Sequence, residues 1–137
     1  MRDVAPIVCI VDDDASVRKS VARFLESSGF RVNAFSEPEA FLGHLRDQSV
    51  PVAVLDIRME GMTGMALLAH LCARSPGTRV IFITAHEDAA AKATVMQAGA
   101  FAFFTKPFDN TRFLAALRDA FDSTSSEKEN KPNSNRC

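Results

Sequence analysis

The sequence predicts a doubly wound α/β domain, and three observations carry that expectation. Short β-type apolar runs alternate with longer segments of helical periodicity as far as Phe121. Three of the runs are near-continuous hydrophobics, the pattern of strands covered on both faces in a parallel sheet. A length of 137 residues allows one domain and little else, and 47% hydrophobic residues supply its core.

The expected strands are Ile7–Val11, Arg31–Phe35, Val52–Ile57, Arg79–Ile83 and Phe101–Phe104. After the first, Val17, Val21, Phe24 and Ser28 fall at helical spacing with Leu25 beside them, Asp14 is placed to cap, and Gly29 to terminate. Ser36-Glu37-Pro38-Glu39 has the form of a capping box ahead of Phe41, Leu42 and Leu45. Gly64 to Ala73 reads as a third helix and Glu87 to Ala98 as a fourth, rich in alanine. Asp109 or Asn110 would cap a fifth, with Phe113, Leu114, Leu117 and Phe121 as its stripe. Five strands alternating with five helices define the α/β class. Residues 122–137 hold no aliphatic or aromatic side chain, so they read as a polar flexible tail or linker stub after a domain spanning 1–121.

Composition removes several function classes. Sixteen basic against 17 acidic residues give a net charge of -1, without the basic surplus of a nucleic-acid binder. Ile7–Val11 is far too short for a signal peptide's apolar stretch or a membrane span. Cys9, Cys72 and Cys137 are odd in number and lack metal-ligand spacing, which suits reduced thiols in a cytoplasmic protein.

The polar residues at the strand ends carry the chemistry. Asp12-Asp13-Asp14 follows the first strand, Asp56 falls near the end of the third, Thr84 ends the fourth, and Lys106 follows the fifth. Open α/β sheets bind ligands outside the carboxyl ends of their strands. If the first and third strands are neighbours, Asp12, Asp13 and Asp56 converge, and their mutual repulsion calls for a proton or a hard cation. Mg²⁺ suits such a site, because it prefers oxygen ligands and keeps waters free for exchange with phosphate oxygens. A carboxylate nucleophile, a cation, a hydroxyl and a lysine are the parts needed for phosphoryl transfer. Taken singly, each residue has a structural explanation: Asp13 or Asp14 as a helix cap, Asp56 as a turn residue, Thr84 as a strand residue, Lys106 as a solvated charge.

The runs Ile10-Val11-Asp12-Asp13-Asp14, Val54 to Gly64, Thr84-Ala85 and Lys106-Pro107-Phe108 together resemble the receiver domain of two-component response regulators, over about residues 5–121. Ile83-Thr84-Ala85-His86, with Gly99-Ala100 ahead of Phe103, is most similar to the FixJ type. The resemblance implies a flavodoxin-like fold with strand order 2-1-3-4-5. It implies Asp56 as acceptor of a phosphoryl group from a sensor histidine kinase. Asp12, Asp13, Asp56 and the backbone carbonyl of Arg58 would hold Mg²⁺, while Thr84 and Lys106 would contact the phosphoryl oxygens. Phe103 matches a switch aromatic that turns inward with Thr84, and the Lys106-Pro107 bond is expected to be cis. The fourth helix and fifth strand would form the face for homodimerisation or for an output domain or partner.

Some positions depart from the family pattern or vary within it. Glu60 replaces the proline usual before this loop's first glycine, which frees the backbone and adds negative charge near the pocket. Arg58 and His86 occupy variable positions that influence water access to the acyl phosphate. Phe103 lacks the hydroxyl of a tyrosine, so switching there rests on burial alone. FixJ-type regulators usually continue into a helix-turn-helix domain. No such segment follows Phe121, so the chain reads as a stand-alone receiver or one truncated in its linker, and direct nucleic-acid contact by these residues is not expected on either reading. The implied function is a phosphoacceptor switch that assists its own phosphorylation and dephosphorylation. One alternative is a phosphorylation-independent binding module, hinted at by Glu60. The other is a haloacid-dehalogenase-like phosphohydrolase, in which Asp12 of Asp12-x-Asp14 would be the nucleophile.

Overall fold

The structure, a computed structural model, describes residues 5–59 and 61–127. Five strands and five helices alternate: β1 (Ile7–Val11), α1 (Ala15–Ser27), β2 (Arg31–Phe35), α2 (Pro38–Asp47), β3 (Val52–Asp56), α3 (Gly64–Arg74), β4 (Arg79–Thr84), α4 (Ala89–Gln97), β5 (Ala102–Thr105) and α5 (Asn110–Glu127). All pairings are parallel, in the order β2-β1-β3-β4-β5. The order reverses at β1, so β1 and β3 lie side by side, with Val11 opposite Leu55.

Alternation along the strands divides the core into two layers. Cys9, Val11, Ala53, Leu55, Val80 and Phe82 face α2, α3 and α4, where they pack with Phe41, Leu67, Leu71 and Val95. Val8, Ile10, Val52, Val54, Ile81 and Ile83 face α1 and α5, where they pack with Leu25, Phe113 and Leu117. The three central strands are thus covered on both faces, as their continuous apolar runs require. Phe113 anchors the second layer, stacked with Phe24, edge-on to Phe104 and tilted against Phe108.

Helix boundaries follow the caps. Asp14 accepts from the N–H groups of Ser16 and Val17 at the start of α1, as expected. Asp109, rather than Asn110, caps α5 through Thr111 and Arg112. The expected capping box at Ser36 does not form: Pro38 takes the first helical position, so the cap is Glu37, which makes no side-chain cap bond. Asp88 caps α4, so that helix begins two residues later than the alanine pattern alone suggests. Gly29 ends α1 with φ 100°, a left-handed conformation that a side chain would strain.

The polar segment that follows Phe121 begins inside a helix, because α5 runs on to Glu127. An established helix adds residues far more easily than a new one nucleates. Cys9 is a free, buried thiol as expected. Cys72 is disulfide-bonded, which corrects the expectation of a reduced thiol there. Its half-buried position leaves the sulfur open to another cysteine, as burial in the sheet does not for Cys9. Cys137 and Glu60 lie outside the described residues. Among the described residues, no helix is long and apolar enough to cross a membrane.

Candidate functional site

The carboxyl edge of the sheet gathers the polar residues singled out from the sequence. Asp12 follows the last residue of β1, Asp56 is the last residue of β3, Thr84 the last of β4, and Lys106 follows β5. Because β1, β3, β4 and β5 are consecutive neighbours, these four side chains belong to one edge.

Asp12, Asp13 and Asp56 each offer a carboxylate oxygen, and these oxygens all lie within 4.8 Å of one another. Asp12 is 1% exposed. Its Oδ1 accepts from the Asp14 N–H at 2.9 Å, whereas its buried Oδ2 has no hydrogen-bond partner among the described residues. Burial pushes the Asp12 carboxyl up to about 6, with the Asp56 and Asp13 charges adding to the rise and the Asp14 N–H and Lys106 opposing it. Asp56 is raised as well, again chiefly by burial, against the Arg58 N–H and the Lys106 charge. A buried carboxylate oxygen without a donor, beside two further carboxylates, fits a hard divalent cation.

Thr84 is buried, and its Oγ1 accepts from the His86 N–H at 3.4 Å. Lys106 is held at the same edge through its N–H, which donates to the Thr84 carbonyl at 2.8 Å. The Lys106-Pro107 peptide is cis, as expected. Arg58 is exposed, and its N–H donates to Asp56 Oδ1 at 3.3 Å. His86 is exposed on the loop after β4. Phe103 pairs with Phe82 across β4 and β5, with ring centroids 6.5 Å apart. It is half-buried and lines a cavity of about 450 Å³ together with Asp88, Lys92, Thr105 and Arg112.

Gly64 is glycine because of close packing, not because of a left-handed backbone. Its φ is not positive; instead a Cβ there would lie 2.5 Å from the Asp56 carbonyl oxygen and 2.8 Å from the Phe82 ring. The first turn of α3 therefore rests directly on the backbone of Asp56, and the Gly64 N–H donates to the Ile57 carbonyl at 2.8 Å.

Two residues of the site were not named from the sequence. Arg18 donates from Nη1 to the Asp12 carbonyl at 2.8 Å. Its signal was the spacing of four residues from the cap Asp14, which turns a long side chain back toward the helix start. Asp88 caps α4, and its Oδ2 lies 3.9 Å from the Arg58 guanidinium. No spacing rule links those two loops.

The sequence profile of the response regulator receiver domain matches residues 8–118. The transcriptional regulatory protein FixJ of Azorhizobium caulinodans is 41% identical over 115 residues, covering 81% of this chain and 53% of that protein. The response regulator protein TmoT of Ectopseudomonas mendocina is 35% identical over 132 residues, covering 96% of this chain and 60% of its own length. Among solved structures, FixJ-N superposes with a TM-score of 0.80 at 38% identity, covering 89% of this chain and 96% of that one. The chain spans 60% or less of the length of these two curated relatives.

Proposed function

This chain belongs to the response regulator receiver family, a family of phosphorylation-controlled signalling switches, and on that premise we propose that Asp56 is its phosphoacceptor. The observation that carries the reading is the clustering of Asp12, Asp13 and Asp56 with an orphaned Asp12 oxygen, at an edge that also holds Lys106 and Thr84. Asp56 is half-buried and reachable, whereas Asp12 is buried and already holds an N–H, which favours Asp56 over Asp12 as nucleophile.

In the proposed reaction, a carboxylate oxygen of Asp56 attacks the phosphorus of a phosphohistidine on a sensor histidine kinase. A P–O bond forms, the P–N bond breaks, and the histidine nitrogen keeps the electron pair. Asp12, Asp13, Asp56 and the Arg58 carbonyl would hold Mg²⁺. When bound, Mg²⁺ offsets the carboxylate repulsion and polarises the phosphoryl oxygens. Lys106 pairs with one phosphoryl oxygen, and the Thr84 hydroxyl turns from the His86 N–H to donate to another. Arg58 and His86 flank the pocket and set water access, together with Glu60, which lies outside the described residues.

The output side follows from the same edge. Movement of Thr84 vacates space beside β4 and draws Phe103 inward, which moves the population toward a state whose α4 and β5 surface binds a second copy or an output partner. We place the switch body in the alternating strands and helices from β1 through α5, acting in the cytoplasm.

The test is incubation with acetyl phosphate, with and without Mg²⁺, read by intact mass beside Asp56→Asn. A Mg²⁺-dependent phosphoryl adduct on the wild type alone is the expected result. No adduct on folded wild type would promote the phosphorylation-independent binding module.

A further inference from the structure

Arg58 and Asp88 form an ion pair between two loops at the phosphoacceptor edge. Arg58 stands two residues beyond Asp56, on the loop leading to α3, and Asp88 four beyond Thr84, on the loop leading to α4. β3 and β4 are adjacent, with Asp56 opposite Ile83, so these loops leave the sheet side by side. The Arg58 Nη2 lies 3.9 Å from Asp88 Oδ2. Both ends are anchored. The Arg58 N–H donates to Asp56 Oδ1, and Asp88 Oδ1 accepts from the Ala91 N–H at 3.0 Å as the cap of α4. The cap and the ion pair therefore use different oxygens of one carboxylate.

We propose that Asp88 is a positioning residue that acts through Arg58. It holds the guanidinium across the gap between the two loops as a strap that slows the entry of phosphoryl donors and of water to Asp56. The inference rests on Asp56 being the phosphoacceptor and extends that reading to the control of its rates. Arg58 and Asp88 side chains are 64% and 39% exposed, so the strap opens readily. Exposed pairs shift an equilibrium by about fivefold at most, which bounds the effect.

The division of labour between the two oxygens supplies a clean variant. Asparagine caps a helix as well as aspartate does, so Asp88→Asn removes the charge and keeps the cap. The full-length chain is loaded with acetyl phosphate and Mg²⁺ as wild type, Asp88→Asn, Asp88→Glu, Arg58→Ala and the Arg58→Ala/Asp88→Asn double variant. Intact mass follows loading and then decay after the donor is removed, at low salt and at about 1 M NaCl, where the Debye length falls to ~3 Å. Asp88→Asn is expected to raise both rates by about two- to fivefold at low salt and to match the wild type at high salt. Asp88→Glu restores slow rates, the double variant is no faster than Arg58→Ala, and the melting temperature of Asp88→Asn stays at the wild-type value. Unchanged or slower rates in Asp88→Asn, or effects that multiply in the double variant, overturn the proposal while leaving the phosphoacceptor reading intact. A wild type that takes no phosphoryl group sinks both.

Discussion

The guanidinium of Arg18 reaches back from α1 and donates to the main-chain carbonyl of Asp12 at 2.8 Å. Through this bond the helix holds the end of β1, where Asp12 and Asp13 turn toward Asp56. Arg18→Ala leaves a partly buried carbonyl without its charged donor, an expected loss of about 1–2 kcal/mol. Urea unfolding followed by circular dichroism checks this, since the chain has no Trp and no Tyr. The loosened junction is also expected to slow loading by acetyl phosphate at a fixed Mg²⁺ concentration.

The raised Asp12 carboxyl makes stability depend on pH in Mg²⁺-free buffer. Its folded value of about 6 lies above the ordinary 3.8, so the folded state binds the proton more tightly than the unfolded state does. Stability from this group is therefore greatest below the unfolded value and falls as pH rises from about 4 to about 6. Above that window the buried charge costs about 3 kcal/mol at most. Asp12→Asn is expected to stabilise the metal-free protein at pH 7 and to flatten this part of the pH profile. It should also remove most of the stabilisation that Mg²⁺ confers on the wild type. A variant that is less stable than wild type without metal would contradict the electrostatic account.

Gly64 offers a test of backbone contact at the acceptor. A Cβ 2.5 Å from the Asp56 carbonyl and 2.9 Å from the Ile57 Cα must push α3 off the end of β3. Gly64→Ala is expected to cost about 1–3 kcal/mol, the range for overpacking. Among molecules that remain folded it should also reduce the phosphorylation rate, because the displaced backbone carries Asp56.

Phe113 provides the contrast, since it is fully buried on α5 with its ring against Phe24 of α1 and Phe104 of β5. Phe113→Ala is expected to lower stability by about 3–5 kcal/mol. The remaining folded protein should load at the wild-type rate, which separates damage to the core from damage to the site.

Much of this was legible in the sequence because parallel strands and helix caps have local signatures. The continuous apolar runs marked the buried strands, Asp14 marked the start of α1, and the pair Asp109-Asn110 marked that of α5, with the choice of Asp109 left to the structure. Asp12, Asp13, Asp56, Thr84 and Lys106 could be grouped because each falls at a strand's carboxyl end, and topology does the rest. What escaped was set by contacts distant in sequence or by competition between neighbours. Pro38 displaced the expected cap at Ser36, and the tight seat of Gly64 depends on Phe82 in the next strand. The Arg58–Asp88 pair spans 30 residues and two loops, and nothing local announces it.

The most direct measurement is chemical identification of the phosphorylated residue. Borohydride reduces an aspartyl phosphate to homoserine, and peptide mass mapping then locates the converted position. After loading with acetyl phosphate and Mg²⁺, conversion is expected at Asp56 alone. Conversion at Asp12 would contradict the account and point instead to a hydrolase-type nucleophile, and conversion at neither would leave the pocket without a phosphoacceptor.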